Sequence, residues 1–554
     1  MTTYTKNNIK QLAVIIVILI VVNALSAQFF KRFDLTSDKR YTLSETTLNT
    51  LKNVKEPINI DVFLDGDFPV EFKRLQSETY QLLEEYKAYN SNIIFKFNNP
   101  NGDASNAEQF TSELIGYGFT PTNINQNNKG KKELIQIFPW AIANIGEKSV
   151  RIPLLVNNYG NKPEENINKS VQLLEYAFTD AITKLISTQK KKIAILKGNG
   201  EISDKYMSDL LLNAKEYYAL GEFNLDSLTN DLPKTLANLK RFDMALIVKP
   251  TQAFSDEEKY ILDQYVMQGG KTMWLMDQVS IDLDSLYNEE RQSLAYPRNL
   301  NLDDMFFKYG VRINPRLIQD LLSTPVTAQS PTGEDFPIDW LYSPIIRSEE
   351  NHPINKNINL VKLEFANQMD TLNNGIKKTV LLKSSPQSKP VGAPLLVNLN
   401  QFMDDLDESK FNEGNQIIGT LLEGNFTSAF NNRIKPFKIS DNKDQGVATK
   451  MIVIADGDIV NYNYINKKPV QNGYDQWTQQ IYGNKDFLIN SINYLLDDDG
   501  LINIRSKNIE LPLLDEQKVN EKYTLSQIVT VGLPIVLLVV FGFAFTYIRK
   551  RRYQ

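Results

Sequence analysis

The chain has no cysteine and a single histidine in 554 residues. Without a thiol there is no disulfide, no thiolate nucleophile, no iron–sulfur cluster and no cysteine-ligated zinc. One imidazole, His352, excludes a multi-histidine metal centre. Acidic residues are missing from both ends: none occurs in the first 28 residues and none from Leu525 onward. What stands there instead is apolar. Leu12 to Val22 is almost purely apolar and, extended through Phe30, gives about 19 uncharged residues, close to the ~20 a helix needs to cross a bilayer. Ile528 to Ile548 supplies a second such run.

The flanks orient these runs. Lys6 and Lys10 precede the first, and Arg549-Lys550-Arg551-Arg552 follow the second. The positive-inside rule puts both flanks in the cytoplasm and the region between them outside. Lys31 and Arg32 blur the first assignment, so the C-terminal cluster carries more of it. Ala24-Leu25-Ser26 before Ala27 also fits a signal-peptidase site. A retained anchor is preferred, because Phe29-Phe30 continue the apolar run. The anchors are marked by Leu12, Val22, Pro534, Arg549 and Arg551. Pro534, in Gly532-Leu533-Pro534, is expected to kink or open its helix. Setting aside the six basic flank residues leaves 55 bases against 66 acids. An exterior region of that sign excludes nucleic acid as a partner.

The exterior chain alternates helix and strand, predicting an α/β protein. Ser44 caps a helix to about Asn53. Ile58 to Leu64 and Ile93 to Phe97 read as strands around a helix over Glu71 to Asn90. This β-α-β unit is thioredoxin-like in pattern. Leu134 to Phe138 and Ser149 to Leu155 are expected to form a hairpin, and Glu164 to Ser187 a long helix. Beyond Lys190 the strands become short and fully apolar: Ile193 to Leu196, Phe242 to Val248, Thr272 to Met276, and Met451 to Ala455. Helical sequence is expected from the turn after Leu196 to about Leu220. A helix capped by Ser255 runs to Gln268, and Lys485 to Leu496 forms another. This predicts a parallel, doubly wound sheet. The domains expected are 1–30, a tail and anchor; 31–189, the first α/β domain; 190–505, the second; 506–524, a linker; and 525–554, the second anchor with its basic tail. An irregular or small β-rich insertion is expected at about 280–440.

Candidate site residues sit at strand ends, where parallel sheets bind ligands. Gly198-Asn199-Gly200-Glu201 follows one strand; its glycines suit a close backbone approach to a ligand or simply a sharp turn. Asp277 ends another. Asp456-Gly457-Asp458 offers two carboxylates, suited to a divalent cation, although Asp-Gly is also a common turn pair. No metal centre and no cofactor are assigned. Gly270-Lys271-Thr272 resembles the end of a phosphate loop, but Tyr265 stands where that motif needs glycine and a strand follows. His352, beside Pro353 and near Glu349 and Glu350, fits a loop contact better than a general base.

Several of these segments together resemble the GldG family of gliding-motility ABC-transporter auxiliary proteins. They are Arg32-Phe33-Asp34-Leu35-Thr36, Lys39 to Ser44, Lys197 to Glu201, Phe254 to Lys259, Gly269-Gly270-Lys271 and Asn351-His352-Pro353-Ile354. Relatives often carry His where Asn199 stands, so acid–base chemistry at this turn is disfavoured. The resemblance implies a partner permease and a cytoplasmic ATPase in a bacterial inner membrane, with the large region periplasmic. It also implies a second domain similar to the glutamine-amidotransferase fold, whose chemistry needs the cysteine this chain lacks. The expected function is a non-enzymatic, membrane-anchored transporter component whose exterior binds substrate or envelope motility proteins. The alternatives are an envelope scaffold, or a hydrolase built on Glu201, Asp456 and Asp458.

Overall fold

The computed structural model describes residues 12–20, 42–102, 107–128, 131–158, 160–187, 189–228, 231–329, 334–347, 352–399, 406–460, 464–465, 468–506 and 522–553. Residues 41–507 form one compact unit, and 1–40 with 508–554 form a second.

In the larger unit, Ser44 accepts the Thr47 N–H and opens α1 (Glu45–Lys52). β1 (Ile58–Val62), α2 (Val70–Tyr89) and β2 (Ile93–Phe97) follow, with β1 and β2 parallel. After α3 (Ala107–Gly116) come two hairpins, β3 (Thr122–Asn128) with β4 (Lys131–Ile137) and β5 (Trp140–Ile145) with β6 (Lys148–Pro153). The sheet order is β2-β1-β5-β6, and α4 (Pro163–Ile186) completes this half. The sequence expectation had paired the regions of β4 and β6 with each other. Each instead pairs with its immediate neighbour, because closing a short loop costs less chain entropy than a long one. A buried polar knot joins the helices. Glu175 on α4 accepts the Ser44 N–H at 2.7 Å and the Thr47 hydroxyl at 2.8 Å. Tyr86 on α2 shares a 2.6 Å hydrogen bond with Thr179 of α4.

The second half begins with β7 (Lys192–Lys197), α5 (Ser208–Tyr217), β8 (Ala219–Asn224), α6 (Leu232–Leu239), β9 (Met244–Val248), α7 (Asp256–Met267) and β10 (Lys271–Leu275). β9 is buried along its whole length, as a central parallel strand must be. α7 starts at a full capping box between Ser255 and Glu258. β8 was missed in the sequence, where helix was expected to about Leu220. Its half-exposed, Gly- and Glu-containing stretch has weak intrinsic strand character, and pairing with β7 decides its state.

The region at 280–440 contributes β11 (Val279–Ser280), β12 (Gln292–Pro297), α8 (Asp303–Tyr309), β13 (Val311–Asp320), β14 (Ser323–Gln329), β15 (Asp335–Ile346), β16 (Val361–Lys362), β17 (Asn367–Thr371), β18 (Lys377–Lys383), β19 (Ser388–Gly392), β20 (Leu395–Asn398) and β21 (Ile417–Thr427). β22 (Gln445–Ile454) and α9 (Asn484–Leu496) follow. Five of those strands do not form a separate subdomain, as one reading of the sequence had allowed. β13, β17, β18, β19 and β21 extend the main sheet, whose order is β19-β13-β17-β21-β22-β10-β9-β7-β8, with β18 on β21. The strands from β8 to β22 run parallel, and from β22 outward the pairing is antiparallel.

Alternate side chains along the parallel strands feed two cores. Ile193, Leu246, Leu275 and Ile454 pack beneath α5 and α9, while Leu196, Ile247, Trp274 and Val453 pack against α6, α7 and α8.

In the smaller unit, 12–20 is helical and exposed, while the rest of the expected first anchor, including Val22, lies outside the described residues. Tyr523–Arg551 is one apolar helix of 29 residues, long enough to cross a membrane. Just before Leu533-Pro534 its segment Ile528–Gly532 is π-helical. Proline has no N–H to donate to the preceding turn, and the ladder widens there.

Leu246, 1 % exposed at the centre of the sheet, tests the core. Leu246→Ala is expected to cost about 2–5 kcal/mol, read as a lower denaturation midpoint of the detergent-solubilised chain.

Candidate functional site

Within the parallel order β8-β7-β9-β10-β22, the ends of the four adjacent strands β7, β9, β10 and β22 form one row. The predicted residues fall into two groups along it. Gly198, Asn199, Gly200 and Glu201 leave β7, whereas Asp277 leaves β10 and Asp456 and Asp458 leave β22. Lys249, at the end of β9 between them, was not singled out from the sequence.

The β7 turn is closed by its own chain. The Asn199 carbonyl accepts the N–H groups of Thr251 and Gln252 at 3.0 and 2.9 Å. Glu201 turns back to accept the Asn199 N–H at 2.8 Å, and the Asn199 amide donates to Glu258 at 3.1 Å. Gly198 and Gly200 have φ of +122° and +71°, and a Cβ on Gly200 would stand 2.2 Å from the Thr251 hydroxyl. The glycines make a turn that packs against the β9 loop. Burial pushes the Glu201 carboxyl above its ordinary range. This turn does not join Asp456 and Asp458, so the fold groups those two with Asp277 and leaves Glu201 apart.

The second group is a buried ionic cluster. Ligand atoms of Asp277, Asp456 and Asp458 all lie within 4.8 Å of one another. The backbone places them. Leu275 of β10 pairs with Ile454 of β22, so Asp277 and Asp456 each lie two residues beyond the same rung. Asp456 is locked by three N–H donors, from Glu364 at 2.8 Å, Asp458 at 2.7 Å and Ile459 at 3.0 Å. Asp277 accepts the Gly457 N–H at 2.6 Å.

Lys249 enters this cluster from a left-handed backbone, φ +48°, a conformation that non-glycine residues rarely hold. Its ammonium pairs with Asp458, reaches Asp282 at 2.7 Å and stands 3.9 Å from Asp277. Arg298 is also 3.9 Å from Asp277. Gly457 gives the lysine stem room, since a Cβ there would lie 2.8 Å from the Lys249 Cβ and Cγ. Burial pushes the carboxyls of Asp456 and Asp458 well up, and their mutual repulsion with Asp277 adds to it. Asp277 and Glu364 are also raised by burial. Burial opposes the charge on Lys249, but Asp458, Asp277 and Asp282 outweigh it and hold the ammonium protonated.

The remaining candidates are structural. Gly269 ends α7 with φ +98°, and Lys271 begins β10, so Gly270-Lys271-Thr272 is a helix stop followed by a strand. His352 is buried with its ring 4.6 Å from that of Tyr494, and burial pulls its imidazole down to about 4. Its Nδ1 accepts the Ile354 N–H at 3.3 Å, leaving a neutral turn-forming side chain.

These features define an α/β protein with its strand ends filled by its own side chains and with an apolar C-terminal helix of membrane-spanning length. The chain belongs to the ABC-type uncharacterized transport system family, the transport auxiliary group, whose description matches residues 190–491. A domain of unknown function matches residues 37–144. No curated protein matches the chain. Among solved structures it is similar to the mmIFT52 N-terminal domain, at 11 % identity and a TM-score of 0.32, over 56 % of this chain and 99 % of that one. It is also similar to a putative ThuA-like protein from Parabacteroides merdae, at 9 % identity and a TM-score of 0.25, over 59 % and 94 % of the two chains.

Lys249→Met strands the buried carboxylates without their ammonium and is expected to cost about 3–5 kcal/mol at pH 8. Raised carboxyl pKa values favour the folded state at low pH, and that contribution is lost as pH climbs through the folded values. The deficit relative to the native chain should therefore shrink between pH 8 and pH 5.5. Denaturation midpoints at both values check it; an equal deficit at each would mean that Lys249 contributes packing alone.

Proposed function

We propose that this chain is a non-enzymatic, membrane-anchored auxiliary subunit of an ABC-type transporter. Its large region works on the exterior side, and ATP hydrolysis is carried by a separate cytoplasmic chain. The observation that carries this reading is the match to the transport auxiliary family across 190–491. The helix Tyr523–Arg551, ending in Arg549-Lys550-Arg551-Arg552, supports a C-terminal anchor whose basic end is cytoplasmic. With the N-terminal anchor retained, both ends share the cytoplasmic side and 31–524 is periplasmic. The resemblance to gliding-motility auxiliary proteins extends the proposal to an inner-membrane complex of a gliding bacterium, with a permease and an ATPase as partners.

A passive role fits the strand ends. The β7 turn is filled by Thr251 and Gln252, and the carboxylates of β10 and β22 face Lys249 and Arg298. Such ends favour a module recognised by its surface, with substrate or envelope motility proteins as the bound partners. The same closure supports an envelope scaffold as the second reading. A carboxylate hydrolase fits less well, because Glu201 folds back onto the Asn199 N–H and is not part of the Asp277, Asp456 and Asp458 group.

Gentle detergent extraction from native membranes with a C-terminal tag tests the choice. An ABC ATPase and a polytopic permease are expected to co-purify. Recovery of the chain alone, or only with envelope proteins, would overturn the transporter reading in favour of the scaffold.

A further inference from the structure

We propose that Asp277, Asp456 and Asp458 form a divalent-cation site suited to calcium, which the Lys249 ammonium and the metal ion occupy in competition. The inference stands on the cluster itself and is independent of the transporter reading.

The donor set comes first. Asp456-Gly457-Asp458 alone offers two carboxylates, too few to define a site. The sheet supplies the third, because the rung Leu275–Ile454 aligns Asp277 with Asp456. All three are buried. Calcium holds oxygens at about 2.3–2.6 Å, so two of its ligands stand up to about 5 Å apart. The cluster, within 4.8 Å throughout, meets that limit. Magnesium demands stricter octahedral geometry and gives up its waters reluctantly, so a buried cage of protein carboxylates suits it less. Asp456 is held by three backbone N–H groups, so one ligand is oriented in advance by its surroundings.

The hydrogen bonding of Asp277 supplies a second observation. Asp277 is 3 % exposed, and its Oδ2 has no hydrogen-bond partner. Its nearest cations, Lys249 and Arg298, both stand at 3.9 Å, too far to donate to it. A buried carboxylate oxygen left in that state is costly. The charge count agrees: the acids Asp277, Asp282, Asp456, Asp458 and Glu364 are met by the cations Lys249, Arg298 beside Asp277, and Lys362 beside Glu364. Lys249 also has somewhere to go. It already reaches the half-exposed Asp282 at 2.7 Å, and can keep that partner while releasing Asp458 to the metal.

Calcium titration of the chelator-treated full chain in detergent tests this, read by calorimetry and by thermal shift. The expected result is one saturable site with Kd of about 10⁻⁴–10⁻³ M, with magnesium weaker. Asp277→Asn should weaken binding by about tenfold or more. Lys249→Gln, which removes the competing ammonium, should tighten it and restore thermal stability on adding calcium. No saturable calcium signal up to about 10 mM, an order of magnitude above the weakest expected Kd, would overturn the proposal. So would a native affinity that neither substitution changes. The native titration decides the matter even if a variant fails to fold.

Discussion

A lysine ammonium among buried carboxylates is the interaction on which the second half of this protein turns. Lys249 closes the end of the central strand β9 and meets Asp458 beyond β22, Asp282 beyond β10 and, more distantly, Asp277. Three strand ends are thereby tied by charge as well as by the sheet. The arrangement is expensive, since each ion has left water, and it survives only because the partners are held in place. The left-handed backbone of Lys249 and the bare Gly457 are part of that cost and that placement.

The cluster also stands at a structural seam. On one side lie the parallel strands with helices on both faces. On the other, β22 passes to the antiparallel strands β21, β17, β13 and β19. β22 serves both, pairing in parallel with β10 and antiparallel with β21. Its carboxylates therefore sit where an α/β sheet ordinarily offers a crevice, but the chain itself supplies the occupants. The occupants are Lys249 and Arg298 beside Asp277 and Asp458, and the loop residues Thr251 and Gln252 at the β7 turn.

The first half is organised by a different device. Glu175, Thr47, Thr179 and Tyr86 make a buried hydrogen-bonded knot between α1, α2 and α4. Burial and the nearby Glu175 push the Tyr86 hydroxyl far above its usual range, so it serves as a neutral partner. The long helix α4 meets the second half through Tyr176, whose ring carries the Arg505 guanidinium at 4.9 Å and whose hydroxyl accepts from Asn493 at 3.3 Å.

Local chemistry was legible in the sequence by itself. The apolar run of Tyr523–Arg551, the Ser44 and Ser255 caps, the strands Ile58–Val62, Ile93–Phe97 and Met244–Val248, and the helix stop at Gly269 all follow from composition, spacing and backbone preference. The absence of cysteine removed whole classes of chemistry outright. The tertiary structure alone decided which strands pair: β4 with β3, β8 at the edge, and the strands of 280–440 joined to the main sheet. It alone brought Asp277 to Asp456 and Asp458, and set Lys249 between them. No local signal marks that lysine, because its partners lie 33 and 209 residues away along the chain. Pairing over such distances depends on the sheet register, and register is a property of the folded whole.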